Sequence, residues 1–137
     1  MDEFLELKYV LVESENFDDY LTFIGIGYFA RKVAINLKPV QSLRKNHDGT
    51  YSFDFTSSVT SYTITFTPGV EFEEVKPDGV KAKSIITFEG NKMIHIQGEQ
   101  NGTTSEHVRE FYEDQLIVTT TANGFDKTAI RKYQRIY

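Results

Sequence analysis

Along most of this chain apolar and polar residues alternate with a period of two, the pattern of strands that bury one face. Leu5, Leu7, Tyr9 and Leu11 are interleaved with Glu6, Lys8 and Val10, and Tyr51, Phe53 and Phe55 with Ser52 and Asp54. Further strands are predicted over 40–46, 50–57, 62–67, 70–76, 80–88, 92–97, 103–112, 115–122 and 127–137. Between them stand turn residues: His47-Asp48-Gly49, Pro68-Gly69, Pro77-Asp78-Gly79, Glu89-Gly90-Asn91, Asn101-Gly102, Glu113-Asp114 and Asn123-Gly124-Phe125-Asp126. These residue types favour tight reversals, so neighbouring strands should pair as hairpins. About ten strands result, the spacing of an all-β sandwich or barrel.

Residues 16–39 break the pattern. Phe17, Tyr20, Leu21 and Ile24 recur at helical spacing, and so do Phe29, Val33 and Leu37, with Gly25-Ile26-Gly27 between the two runs. This predicts two short amphipathic helices, each laying its stripe on the sheet. Asn16 is the expected cap of the first helix, with Asp18 and Asp19 in its first turn. Lys38-Pro39 ends the second. Because almost every connection is short, a closed meander is favoured over a sandwich with long crossings, and closure removes exposed edges. Ten strands enclose more volume than side chains fill. The expected fold is therefore an antiparallel up-and-down β-barrel over residues 1–137, with a helix-turn-helix lid between the first two strands and a cavity beneath.

Composition narrows the function. The chain has 39% hydrophobic and 14% aromatic residues, no Cys and a formal net charge of −5. Thiolate chemistry and disulfides are excluded. The acidic balance argues against nucleic acid. The acidic N-terminus lacks a signal-peptide pattern and no run is long enough for a membrane span, so a cytoplasmic monomer is expected. His47, His95 and His107 lack the spacing of metal ligands. Glu71, Glu73 and Glu74 read as a charged strand and turn near the surface. No nucleophile elbow or phosphate loop is visible, and neither an enzyme nor a cofactor is expected.

The strand periods bring candidate chemistry together. Arg131 and Tyr133 share a face of the last strand, Arg109 lies with His107 and Phe111 on another, and Gln97 with His95 and Met93 on a third. If Arg109, Arg131 and Tyr133 point inward, two guanidiniums and a phenol converge in an apolar container, a site that matches a carboxylate with an apolar tail. Spacing alone also allows the arginines to face water, the usual place for a charged strand residue.

Longer motifs bear on the choice. Ser14-Glu15-Asn16-Phe17-Asp18-Asp19-Tyr20-Leu21, Gly25-Ile26-Gly27-Tyr28-Phe29-Ala30-Arg31-Lys32-Val33-Ala34 and Phe66-Thr67-Pro68-Gly69-Val70-Glu71-Phe72-Glu73-Glu74 are joined, in order, by Val108-Arg109-Glu110 and Ala129-Ile130-Arg131-Lys132-Tyr133. With these segments the chain resembles the intracellular lipid-binding family of the calycin superfamily, which includes the fatty-acid-binding and cellular retinoid-binding proteins. The resemblance implies a ten-stranded β-clam that carries ligand without reaction. It places the family's R-x-Y anchor on Arg131 and Tyr133 and its other anchoring arginine on Arg109. Arginine at both positions implies an acid, fatty acid first and retinoic acid second, with one or two long-chain molecules held. Phe17, Leu21, Ile26, Ala34 and Pro39 fall on lid and cavity-lining positions, and Gln97 stands with the ligand-binding set. Ser57 and Asp78 fall at the portal, with Val59 where many relatives have a portal Phe. Arg31 and Lys32 on the lid are candidates for contact with anionic membranes. Tyr9 replaces the family's Trp and should be core at the closed end.

Overall fold

The computed structural model describes all 137 residues. A 3-10 turn (Asp2–Phe4) precedes β1 (Lys8–Glu15), α1 (Phe17–Phe23) and α2 (Tyr28–Asn36). There follow β2 (Val40–Lys45), β3 (Tyr51–Thr56), β4 (Ser61–Phe66), β5 (Phe72–Val75), β6 (Lys81–Glu89), β7 (Lys92–Glu99), β8 (Thr104–Phe111), β9 (Gln115–Ala122) and β10 (Ala129–Ile136). All ten strands form one antiparallel sheet in the order β4-β3-β2-β1-β10-β9-β8-β7-β6-β5. The first and last strands pair from Lys8↔Ile136 to Glu15↔Ile130, with a bulge between Leu11 and Glu13. That pairing curls the meander into a barrel, left open only along the seam between β4 and β5, which do not pair.

Turn chemistry accounts for the register. In the reversal between β5 and β6, Gly79 takes φ 83°, a conformation other residues resist, and the Asp78 carboxylate accepts the Val80 amide at 3.0 Å. Alternation then sends Tyr9, Leu43, Phe53, Phe66, Ile86, Met93, Phe111, Leu116 and Tyr133 inward, where with Leu11 and Val118 they form the main core. Tyr9 is fully buried and its hydroxyl donates to the Tyr112 carbonyl at 2.9 Å.

Three local expectations are corrected. The first strand begins at Lys8 rather than near Leu5, because Glu6 adopts a left-handed φ of 66° and turns the chain. The residues before it plug the closed end instead, with Phe4 stacked on Phe111 at 6.3 Å. Asn16 does not cap α1 with its side chain; it sits at φ 59° and its amide donates to the Thr128 carbonyl at 3.0 Å, tying the helix start to the approach to β10. Most of the α2 stripe is rolled away from the barrel: Phe29 is 83% and Val33 50% exposed, and only Leu37, just past the helix end, reaches the interior. Two hydrogen bonds set that roll. Arg31 reaches back to the Ile26 carbonyl at 2.8 Å and to Asp18 at 3.0 Å, leaving Ala34 and Ile35 to pack inward. In α1 the expected face is buried, with Tyr20 and Leu21 packed on Ala129.

Candidate ligand-binding site

Beneath the helices lies a cavity of about 260 Å³. Its walls come from α1, α2 and the inward positions of most strands, because side chains two apart on a strand share a face. On β8 these are His107 and Arg109, on β10 Arg131 and Tyr133, on β7 His95 and Gln97, and on β4 Tyr62 and Ile64. Arg109, Arg131 and Tyr133 thus meet in one cavity, and the two arginines are not on the outer surface.

The two guanidiniums are held differently. Arg109 lies 4.4 Å from the Phe53 ring centroid. Its Nε donates to Gln41 Oε1 at 3.3 Å and its Nη1 contacts His95 Nδ1 at 3.4 Å. Gln41 in turn donates to the Tyr133 hydroxyl at 2.8 Å. Arg131 stacks on Phe17 of the lid, 3.7 Å from the ring centroid, and its buried Nε has no hydrogen-bond partner. Burial lowers the pKa of both, yet a guanidinium stays charged.

A chain of polar side chains continues from Arg109. Glu74 on β5 accepts from Ser84 at 2.8 Å and Gln97 at 3.0 Å, and its Oε1 lies 2.8 Å from His95 Nε2. The contacts fix the protons. His95 donates from Nε2 to the carboxylate, so its Nδ1 is free to accept from Arg109. Gln97 gives its amide hydrogen to Glu74, so its oxygen accepts from His107 Nε2 at 2.7 Å, and His107 Nδ1 accepts from Thr120 at 2.7 Å. Both rings are neutral in this arrangement. Burial pushes the His95 pKa down, the Glu74 hydrogen bond pulls it up and Arg109 lowers it again. His107 is driven well below its ordinary value by burial, with His95 and Arg109 adding to the effect. For Glu74 burial would raise the pKa, but the bonds from His95, Gln97 and Ser84 outweigh it and keep the carboxylate ionised. Thr120 and His107 have the spacing of a nucleophile and base, but the imidazolium such a base must become is strongly disfavoured here.

Glu74 lowers the cost of Arg109's charge through His95. Its charge bears on Arg109 but not appreciably on Arg131, whose ionisation responds to burial and to Tyr133 and Tyr62. The cavity therefore holds positive charge that no protein group answers. Nearer the mouth, buried Lys76 pairs with Glu99 and lies 3.8 Å from Asp78.

Of the other positions singled out from sequence, Phe17, Leu21, Ile26, Ala34, Pro39, Asp78 and Gln97 line the cavity. Ser57 and Val59 do not. Ser57 closes the turn between β3 and β4 by bonding to Thr60, and that turn points Val59 outward at 67% exposure. Arg31 is engaged with Asp18, whereas Lys32 is exposed with its ammonium 5.3 Å from the Tyr28 ring centroid. Sequence reasoning missed Gln41, Tyr62 and Lys76 as wall residues and gave His107 only as a neighbour on Arg109's face, without a role for it or for Thr120; the placement of Glu74 at the surface is corrected: it is 6% exposed. The available signal was Phe72, whose inward face Glu74 and Lys76 share at i+2 and i+4.

Comparison with known proteins agrees with this architecture. A model of the lipocalin / cytosolic fatty-acid binding protein family matches residues 8–136. Fatty acid-binding protein homolog 6 of Caenorhabditis elegans is 36% identical over 118 residues, covering 85% of this chain and 87% of that protein. The crystal structure of a fatty acid-binding protein from Drosophila melanogaster brain superposes with a TM-score of 0.88 at 37% identity, over 96% of this chain and 98% of that one. A Schistosoma mansoni fatty acid binding protein in complex with arachidonic acid superposes with a TM-score of 0.91 at 30% identity, over 100% and 98% of the two chains. Barrel, lid and sequence together establish that the chain belongs to the lipocalin / cytosolic fatty-acid binding protein family.

Proposed function

We propose that this chain is a monomeric cytoplasmic carrier of one long-chain fatty acid, with the carboxylate among Arg109, Arg131 and Tyr133 and the tail against Leu21, Ile24, Ile26, Phe55 and Ile64. The observation that carries the reading is Arg131, a largely buried guanidinium in a cavity with no protein acceptor. Such a charge is costly when left alone, and a carboxylate answers it with paired N–H···O bonds. Tyr133, whose oxygen already accepts from Gln41, has its hydrogen left to donate. Each buried CH₂ of the tail contributes about 0.8 kcal/mol before entropy losses, so the tail dominates affinity and the arginines set orientation and acid preference. At about 260 Å³ the cavity lies just below the roughly 300–1,000 Å³ typical of ligand pockets, which favours one chain over two. The arachidonic acid held by the Schistosoma relative supports a flexible acyl chain ahead of a retinoid. Entry requires α1, α2 and the turns near Ser57 and Asp78 to part.

Calorimetric titration with palmitic acid and hexadecanol tests this. Arg131→Gln should weaken the acid about tenfold or more, the value of a hydrogen bond to a charged group, and weaken the alcohol much less. Equal affinities of both proteins for both ligands would refute it.

A second reading adds membrane contact during delivery. Tyr28 (58% exposed), Phe29 and Val33 form an apolar patch on α2 beside the free cation of Lys32, a combination suited to an anionic bilayer surface. Arg31 contributes less, since Asp18 neutralises it. In vesicle sedimentation, Phe29→Ser with Lys32→Glu should reduce the bound fraction on anionic lipid; undiminished binding removes this reading.

A further inference from the structure

Apart from exposed Thr60, every polar side chain on the cavity wall has a hydrogen-bond partner within the protein, with two exceptions: Arg131 and Tyr62. Arg131 is accounted for by the ligand carboxylate. Tyr62 has no such account. It lies on β4, directly across from Phe55 of β3 in the register, and the two rings stack with centroids 4.8 Å apart and planes 15° from parallel. Packing therefore fixes the ring, while the hydroxyl at its tip meets nothing in the protein. Burial pushes this phenol up to about 12, against the pull of Arg109 and Arg131, both close enough to bias its ionisation. At neutral pH it is a protonated donor beside the two cations, lining the cavity with its O–H left free for a ligand acceptor.

We propose that Tyr62 is a further headgroup contact, donating its phenol hydrogen to the ligand carboxylate from the strand that borders the open seam. The assignment rests on the carrier reading above and adds to it a specificity residue outside the R-x-Y motif. The acceptor count permits it. An ionised carboxylate offers about four lone-pair sites. A fork from Arg131 uses two, leaving one each for Tyr133 on β10 and Tyr62 on β4, while Arg109, already bonded to Gln41 and His95, contributes its charge rather than a further fork. The consequence is a preference for an acid over an alcohol, because a hydroxyl oxygen has too few acceptor sites to satisfy the guanidinium and both phenols together.

Tyr62→Phe removes one oxygen and keeps the ring on Phe55, so the folded protein should retain its melting temperature. Titrated with palmitic acid it should lose about tenfold in affinity, as expected for a hydrogen bond to a charged group; for hexadecanol the loss should be smaller. The carboxyl carbon resonance of carboxyl-labelled palmitate, bound to each protein, should also move between wild type and variant. Unchanged acid affinity, or an unmoved resonance, overturns the assignment. Arg131→Gln, measured alongside, separates the two levels of inference. If it weakens acid binding while Tyr62→Phe does not, Tyr62 alone is misassigned; if neither substitution matters, the carboxylate site itself is wrong.

Discussion

From the end of the barrel where β1 begins up to the cavity floor at Val118 and Tyr133, eleven buried side chains form one cluster, and Tyr9, Leu43, Phe53, Ile86, Met93, Phe111 and Leu116 in it have no exposure at all. At the helical end the corresponding cluster is Tyr20, Leu21 and Ala129, and α2 contributes no buried residue. The same ten strands run through both ends, so the sheet hydrogen bonds do not make the difference. Side-chain density does. Close packing at the sealed end supplies stability, and the sparsely packed lid over a cavity leaves room for a ligand to enter.

Substitution at each end should separate those roles. Phe111→Ala removes a ring packed between Phe4 and Tyr9 and should cost about 3–5 kcal/mol in urea unfolding. Leu21→Ala borders a space that is already open, so fewer contacts are lost and the cost should fall near or below about 2 kcal/mol, the low end for Leu→Ala. Its larger effect should be faster release of bound fatty acid in stopped-flow transfer to vesicles. If Leu21→Ala destabilised the fold as much as Phe111→Ala without changing release, the division between the two ends would be wrong.

The sealed end was the more legible in the sequence. Alternation marks a strand and its inward face wherever large apolar residues repeat, as at Tyr51, Phe53 and Phe55 or at Tyr9 and Leu11, and turn residues set where each strand stops. The same period put Arg109, Arg131 and Tyr133 on inward faces once the resemblance chose the side. The cavity half was less legible because a period gives a face and not a partner. Glu74 stands among Glu71 and Glu73 and reads as surface until Ser84, His95 and Gln97, distant in sequence, are seen to converge on it. Tyr62 reads as an ordinary strand aromatic. The roll of α2 was hidden for a different reason. Its periodicity allows Phe29 and Val33 to face inward, and only the tertiary bonds of Arg31 to Asp18 and Ile26 turn the alanine face to the barrel.

Acid should sharpen the contrast by acting on one region first. The titratable network lies in the cavity half, whereas the sealed cluster contains no carboxylate or imidazole. His95 and His107 both have folded-state pKa values below the ordinary 6.5, chiefly through burial. An unfolded or locally opened chain therefore binds protons there that the closed chain does not. Stability is complete above pH 6.5 and declines as pH falls below it, by up to about 1.4 kcal/mol per pH unit for each suppressed histidine. Glu74 adds to the loss only at lower pH: its folded pKa lies below the ordinary 4.5, so its stabilisation is present above that value and disappears as pH drops further. Hydrogen exchange corrected for intrinsic rates, followed from pH 7.5 to 5, should show falling protection at β7 and β8 amides around His95 and His107 before those beside Tyr9 and Phe53. The His95→Gln, His107→Gln double variant should flatten that dependence, since amide side chains keep part of the hydrogen bonding without a titrating ring. Equal loss of protection at both ends from the first drop in pH would mean that the barrel opens as one unit, and that the lid half has no separate stability to lose.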